Sequence, residues 1–223
     1  QICINSIIGF FTIILSIRKY DIVFDCEPYF NISALVAFMV GKRRVGFSNQ
    51  YRSRLYSDVV EFRKDQHMVQ NYLDMLRSLN IDCDTENLES IIIPEEERKT
   101  VLNFISTELK DIKTVGICPG ISGSVKSRMW YEERFASLAD KIIDELQMQV
   151  IFIDSPKNKH IVDAIRKMMN NDSISVLNKL NLKDNLFLIS KCDMFISNDT
   201  GLMHVAAAQG CKTIGLFGLI ILL

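Results

Sequence analysis

The sequence lacks most of the signatures that assign a chain at a glance. It has no C-x-x-C pair: Cys3, Cys26, Cys83, Cys118, Cys192 and Cys211 stand far apart. That spacing argues against a zinc site, and several of them fall inside apolar runs, where buried free thiols are expected; a reducing, cytoplasmic compartment follows. It has no excess of charge, and a formal net charge of −1 gives nothing that nucleic acid would recognise. Neither GxxxxGK[ST] nor GxGxxG occurs, which disfavours a P-loop NTPase and a dinucleotide-binding dehydrogenase. A membrane span is missing too. The apolar run Ile2 to Ile17 contains Asn5 and Ser6 and falls short of the roughly 20 residues a spanning helix needs. It has no basic start or small-residue cleavage site, so it reads as a buried or peripheral helix ended by Arg18 and Lys19. The ends also lack the marks of completeness. The chain starts at Gln1 and stops in GLIILL with no cap or turn, so the expectation is a fragment, or a frame interrupted near Gly218.

What is present is an ordinary globular composition, 48% hydrophobic and 24% charged over 223 residues, arranged as alternating strands and helices. Asp21 to Cys26 reads as a buried strand, Ile32 to Val40 as a helix stopped by Gly41, and Arg44 to Phe47 as a second strand. Ser48 to Lys64, with Arg52, Arg54 and Arg63 and no period, reads as a long surface loop. His67 to Leu79 returns to helical spacing, with Met68, Tyr72, Met75, Leu76 and Leu79 on one face and His67 in a structural role at its start. Pro94 followed by Glu95, Glu96 and Glu97 opens another helix, so those carboxylates are helix chemistry rather than metal ligands.

A boundary at Asp111 to Lys113 divides the chain into domains 1–110 and 111–223. Beyond it, five strands are expected: Val115–Cys118, Val150–Asp154, Ile174–Leu177, Cys192–Ser197 and Thr213–Phe217. Helices over Tyr131–Leu146, Ile161–Met169, Leu182–Ser190 and Leu202–Gln209 connect them, the last closed by Gly210. Such alternation is an α/β fold with a parallel sheet and right-handed crossovers, Rossmann-like in pattern.

Two strand-to-helix turns carry candidate chemistry. After the first strand of the second domain, PGISGSVKSRMW offers Gly backbone, the hydroxyls of Ser122 and Ser124, and the cations of Lys126 and Arg128. Those groups beyond a strand suit phosphate, although an ordinary loop with a solvated lysine stays open as a reading. After the fourth strand, Asn198, Asp199, Thr200 and Gly201 form a polar turn at the start of a helix, where open α/β sheets bind ligands. His204, within that helix, is either a ligand contact or a residue that orients the turn.

Together the two segments resemble glycosyltransferase family 9, the bacterial lipopolysaccharide heptosyltransferases. Asp199, Thr200, Gly201, His204, Val205, Ala206, Ala207 and Ala208 match that family's D-[ST]-G-x-x-H-[IVL]-A-[AG]-A pattern, with Leu216-Phe217-Gly218 in register after it. The segments KYDIVFDC, KRRVGF and HMVQNYLDMLRSL are similar to the family's first domain.

The resemblance implies a GT-B architecture, two Rossmann-like domains facing a cleft, both incomplete in this chain. It implies inverting, metal-independent transfer of a heptose or related sugar from an ADP-activated donor to the lipopolysaccharide inner core, with no cofactor. Donor binding would fall to Ser122, Lys126, Arg128, Asp199, Thr200, Gly201, Leu202, Met203 and His204. Lys126 or Arg128 would stabilise the leaving diphosphate, and the catalytic base would precede Gln1. The implied partners are the nucleotide-sugar and a lipid-linked oligosaccharide. The implied setting is a cytoplasmic monomer in peripheral contact with the inner membrane. The alternative is a truncated, inactive remnant that keeps part of the donor site.

Overall fold

The computed structural model describes residues 19–48, 51–83, 88–121 and 129–218. The apolar run Ile2 to Ile17 therefore lies outside the described residues, as do Ser122, Lys126 and Arg128. The chain forms two compact units, Gln1–Asn87 and Leu88–Leu223.

In the first unit β1 (Tyr20–Asp25), α1 (Asn31–Val40) and β2 (Gly41–Phe47) follow one another as the alternation implies. The next segment departs from expectation. Instead of a loop from Ser48 to Lys64, a 3-10 helix (Tyr51–Leu55) leads into β3 (Asp58–Val60), and the sheet runs β1-β2-β3, all parallel. Three residues are too few to show a period, so this strand is specified by its partner rather than by its own pattern. The Arg43 guanidinium grips Asp58 with Nε at 2.9 Å from one carboxylate oxygen and Nη2 at 2.7 Å from the other, across β2 and β3. That fork holds the Asp58 carboxyl down to about 2. α2 (Met68–Arg77) is capped by His67, whose Nδ1 accepts from Val69 N at 3.3 Å, so the histidine does structural work.

The second unit begins with α3 (Lys99–Glu108), preceded by a 3-10 turn at Glu95–Glu97. The units divide between Asn87 and Leu88, not at 110/111. The reason is α3 itself, whose Val101 and Phe104 sit in the same apolar cluster as Ile151, Leu188 and Phe195. The unit continues through β4 (Thr114–Cys118), α4 (Glu132–Leu146), β5 (Gln149–Phe152), α5 (Lys159–Met168), β6 (Ile174–Ser175), α6 (Leu182–Ile189), β7 (Met194–Asn198), α7 (Gly201–Ala208) and β8 (Lys212–Leu216).

Its five-stranded sheet has the order β6-β5-β4-β7-β8, every neighbour pair parallel. The first strand in sequence lies in the middle, with later strands added to one side and then the other. Period-two alternation splits the core into two layers. Val115, Ile117, Val150, Phe152 and Ile196 face α4 and α5 through Phe135, Ala139, Val162 and Ile165. Cys118, Ile151, Ile153 and Phe195 face α3, α6 and α7 through Phe104, Phe187, Leu188 and Ala206. α7 is short because Gly210, at φ +74°, reverses the chain: Gly210 N donates to Ala207 O at 3.1 Å and Cys211 N to Ala206 O at 3.0 Å. That pair of bonds is a Schellman close, and it delivers the chain into β8.

Candidate functional site

The strand order reverses between β4 and β7, so a crevice opens beyond their carboxyl ends. The two strands end level, Cys118 opposite Ser197. Just past them stand Pro119, Gly120 and Ile121 from one, and Asp199 and Thr200 leading into α7 from the other. β5 adds Asp154, Ser155 and the 3-10 turn Pro156–Asn158. Together these segments surround a cavity of about 620 Å³. An apolar wall is built from Ile91, Leu182, Leu186, Leu202 and Val205, and a polar wall from Asp154, Ser155, Lys157 and Asn158. Cys118 and Thr200 also line it, and burial pushes the Cys118 thiol well up from its ordinary range.

Asp154 is the anchor of the polar wall. Its carboxylate is 4% exposed and accepts from Gly120 N at 2.6 Å, Ser155 N at 2.6 Å and Asn158 Nδ2 at 2.7 Å. The turn after β4 and the turn after β5 are thereby fixed to one side chain. The fit leaves no room at Gly120, where a Cβ would meet Asn158 Nδ2 at 2.0 Å and Asp154 Oδ2 at 2.6 Å.

Thr200 occupies the N-cap position of α7 yet makes no side-chain cap bond. Its hydroxyl turns inward, 3.1 Å from Ser197 Oγ and 3.9 Å from Cys118 Sγ. The first N–H groups of α7 are therefore not covered by the residue that usually covers them. A Cβ on Gly201 would meet nothing within 4 Å, so the start of the helix presents bare backbone to the cavity. N–H groups left uncapped by the Thr200 side chain and the positive end of the helix dipole make this rim an anion acceptor.

The structure brings Thr200, Gly201 and Leu202 to the cavity. Asp199 is half-buried in the turn beside it, Met203 is buried with its sulfur against Gly215 of β8, and His204 is exposed on the outer side of α7. Sequence reasoning missed the polar wall. Asp154 ends an apolar run at the carboxyl end of the strand next to β4, which is a usable signal; its contact with Gly120 is not visible locally. Asn198, expected as a turn residue, is instead fully buried at the end of β7, and its amide ties Pro119 O to Trp130 N. Among the described residues, no group of three or more His, Cys, Asp or Glu is placed to hold a metal ion, and no helix is long and apolar enough to cross a membrane.

The sequence profile of glycosyltransferase family 9 (heptosyltransferase) matches residues 14–219. The chain belongs to this family. Lipopolysaccharide heptosyltransferase 2 of Escherichia coli (strain K12) is 28% identical over 214 residues, covering 90% of this chain and 60% of its own length. A solved glycosyl transferase family 9 structure from Veillonella parvula superposes with a TM-score of 0.80 at 27% identity, over 97% of this chain and 64% of that one. The structure of E. coli ADP-heptose lps heptosyltransferase II gives 0.66 at 25%, over 88% of this chain and 61% of that one. The chain thus spans about 60% of the length of the curated family 9 protein it matches, and its fold is the α/β, GT-B type of these structures.

Proposed function

We propose that the cavity beyond β4, β5 and β7 is the donor site of a heptosyltransferase, taking an ADP-activated heptose and passing the sugar to the lipopolysaccharide inner core. The observation that carries the reading is the start of α7: Thr200 turned inward, Gly201 bare, and helix N–H groups facing a cavity of about 620 Å³. The diphosphate sits against those N–H groups and the nucleoside lies along the apolar wall of Ile91, Leu182 and Leu186. Lys157 brings a positive charge to the same rim, and Lys126 or Arg128 supplies a further cation. Asp199, half-buried in the turn beside the cavity, lies on the sugar side.

The chemistry follows from charge. The acceptor hydroxyl attacks the anomeric carbon from the face opposite ADP, its proton passes to a base, and the sugar–oxygen bond to ADP breaks with inversion. Negative charge grows on the departing diphosphate. Fixed N–H dipoles already aimed there stabilise that transition state more than the ground state, without reorganising. No metal or organic cofactor enters this scheme. The full-length protein would work as a cytoplasmic monomer touching the inner membrane, where its lipid-linked acceptor lies.

Calorimetric titration with ADP tests the assignment. Gly201→Ala adds a Cβ against the helix start that meets no protein atom within 4 Å, so folding is retained and ADP affinity falls at least about tenfold. An unchanged affinity in that variant refutes the placement. A remnant without turnover would bind ADP as predicted and transfer no sugar.

A further inference from the structure

We infer that Asn198 is a positioning residue of the donor site, and that its amide couples occupancy at the start of α7 to Trp130. The inference rests on the donor-site reading above. Asn198 ends β7 and is 0% exposed. Its Nδ2 donates to Pro119 O at 2.6 Å, and its Oδ1 accepts from Trp130 N at 3.1 Å. Pro119 directly follows β4, and Trp130 directly precedes Tyr131, the N-cap of α4. One planar side chain therefore holds both ends of the β4–α4 connection against the end of β7. Among side chains of this size only a primary amide offers a donor and an acceptor in one rigid group.

The same residue is wired to α7. Ser197 Oγ donates to the Asn198 carbonyl at 2.7 Å and lies 3.1 Å from Thr200 Oγ1, and Thr200 is the residue from which the helix starts. On its other side Asn198 faces a second cavity of about 290 Å³, shared with Trp130, Tyr131, Leu216 and Phe217. The Trp130 ring stands edge-on to Phe135, centroids 4.9 Å apart and planes at 83°. A ligand that draws in the N–H groups of Gly201 and Leu202 shifts the turn, and the amide passes the shift to the Trp130 backbone. Trp130 is the single tryptophan of the chain, so all tryptophan emission comes from this residue.

The test compares wild type, Asn198→Asp and Asn198→Ser, each titrated with ADP by calorimetry and by tryptophan fluorescence. In wild type the heat and the emission change share one midpoint. Asn198→Asp keeps the size and the acceptor for Trp130 N but sets a carboxylate oxygen against Pro119 O. It is expected to bind ADP about tenfold more weakly, the factor one lost buried hydrogen bond carries, and to lose the emission change. Asn198→Ser, whose one oxygen on a shorter side chain replaces the separate donor and acceptor atoms of the amide, carries the same test if the Asp variant does not fold. A folded variant with wild-type affinity and wild-type emission response overturns the inference and leaves the donor site standing. Absence of ADP binding in wild type overturns the donor-site reading itself, and the inference with it.

Discussion

Replacing Gly120 by Ala loads the Asp154 contact that joins the turns after β4 and β5. The added Cβ would lie 2.0 Å from Asn158 Nδ2, 2.5 Å from Asn158 Cγ and 2.6 Å from Asp154 Oδ2. Those atoms cannot simply swing away, because Asn158 Nδ2 and Gly120 N are both bonded to the Asp154 carboxylate, at 2.7 and 2.6 Å. Relief requires that the Asn158 bond break and the Gly120 bond lengthen. Bonds to a buried charged acceptor are worth about 1.5–3 kcal/mol each, so losing one and weakening the other costs about 3 kcal/mol. In a chain of this size that shifts the melting temperature by roughly 6–12 °C, readable by scanning calorimetry. The mechanism makes a second, sharper statement. Once Asn158→Ala has removed the obstructing amide, adding Gly120→Ala should cost clearly less than it does in wild type, a coupling of about 1 kcal/mol or more. A shift under about 2 °C, or strictly additive effects, refutes the reasoning.

Other expectations are as specific. Gly46→Ala places a Cβ 2.3 Å from the Tyr56 ring, which is buried with its hydroxyl donating to Asp25 at 2.6 Å; about 1–3 kcal/mol of stability should be lost, measured by urea unfolding, and no loss contradicts the packing. Asp58 is lowered from 3.8 to about 2 by its bond to Arg43, so its contribution is full above the ordinary carboxylate value and fades as pH falls towards 2. The stability gap between wild type and Asp58→Asn should therefore close with acidification over that window; a gap that is constant with pH removes the ion pair from the account. Phe195→Ala, at a fully buried position in the layer under α6 and α7, should cost about 3–5 kcal/mol and lower the melting temperature of the second unit.

The elements that could be read from the sequence are those whose own residues carry the signal. β4, β5 and β7 are buried on both faces and so appear as short apolar runs, and α7 is framed by a polar turn and Gly210. β3 could not be read, because Asp58 to Val60 becomes a strand only when Arg43 and β2 are beside it. The place where the chain divides is not legible locally for a similar reason. The amphipathic face of α3 is plain in Val101 and Phe104, but nothing local says that it packs with Leu188 and Phe195 far along the chain. At the site, the turn from Asn198 to Gly201 was legible as chemistry near a strand end. The inward rotation of Thr200 and the grip of Asp154 on Gly120 depend on residues that meet only in the folded sheet.

The central claim is a place: a donor diphosphate over the start of α7. A crystal structure of the full-length protein with ADP tests it most directly. The account predicts phosphate oxygens within hydrogen-bonding distance of the Gly201 and Leu202 N–H groups, with the adenosine along Ile91, Leu182 and Leu186. ADP bound elsewhere, with that helix start left to solvent, contradicts it.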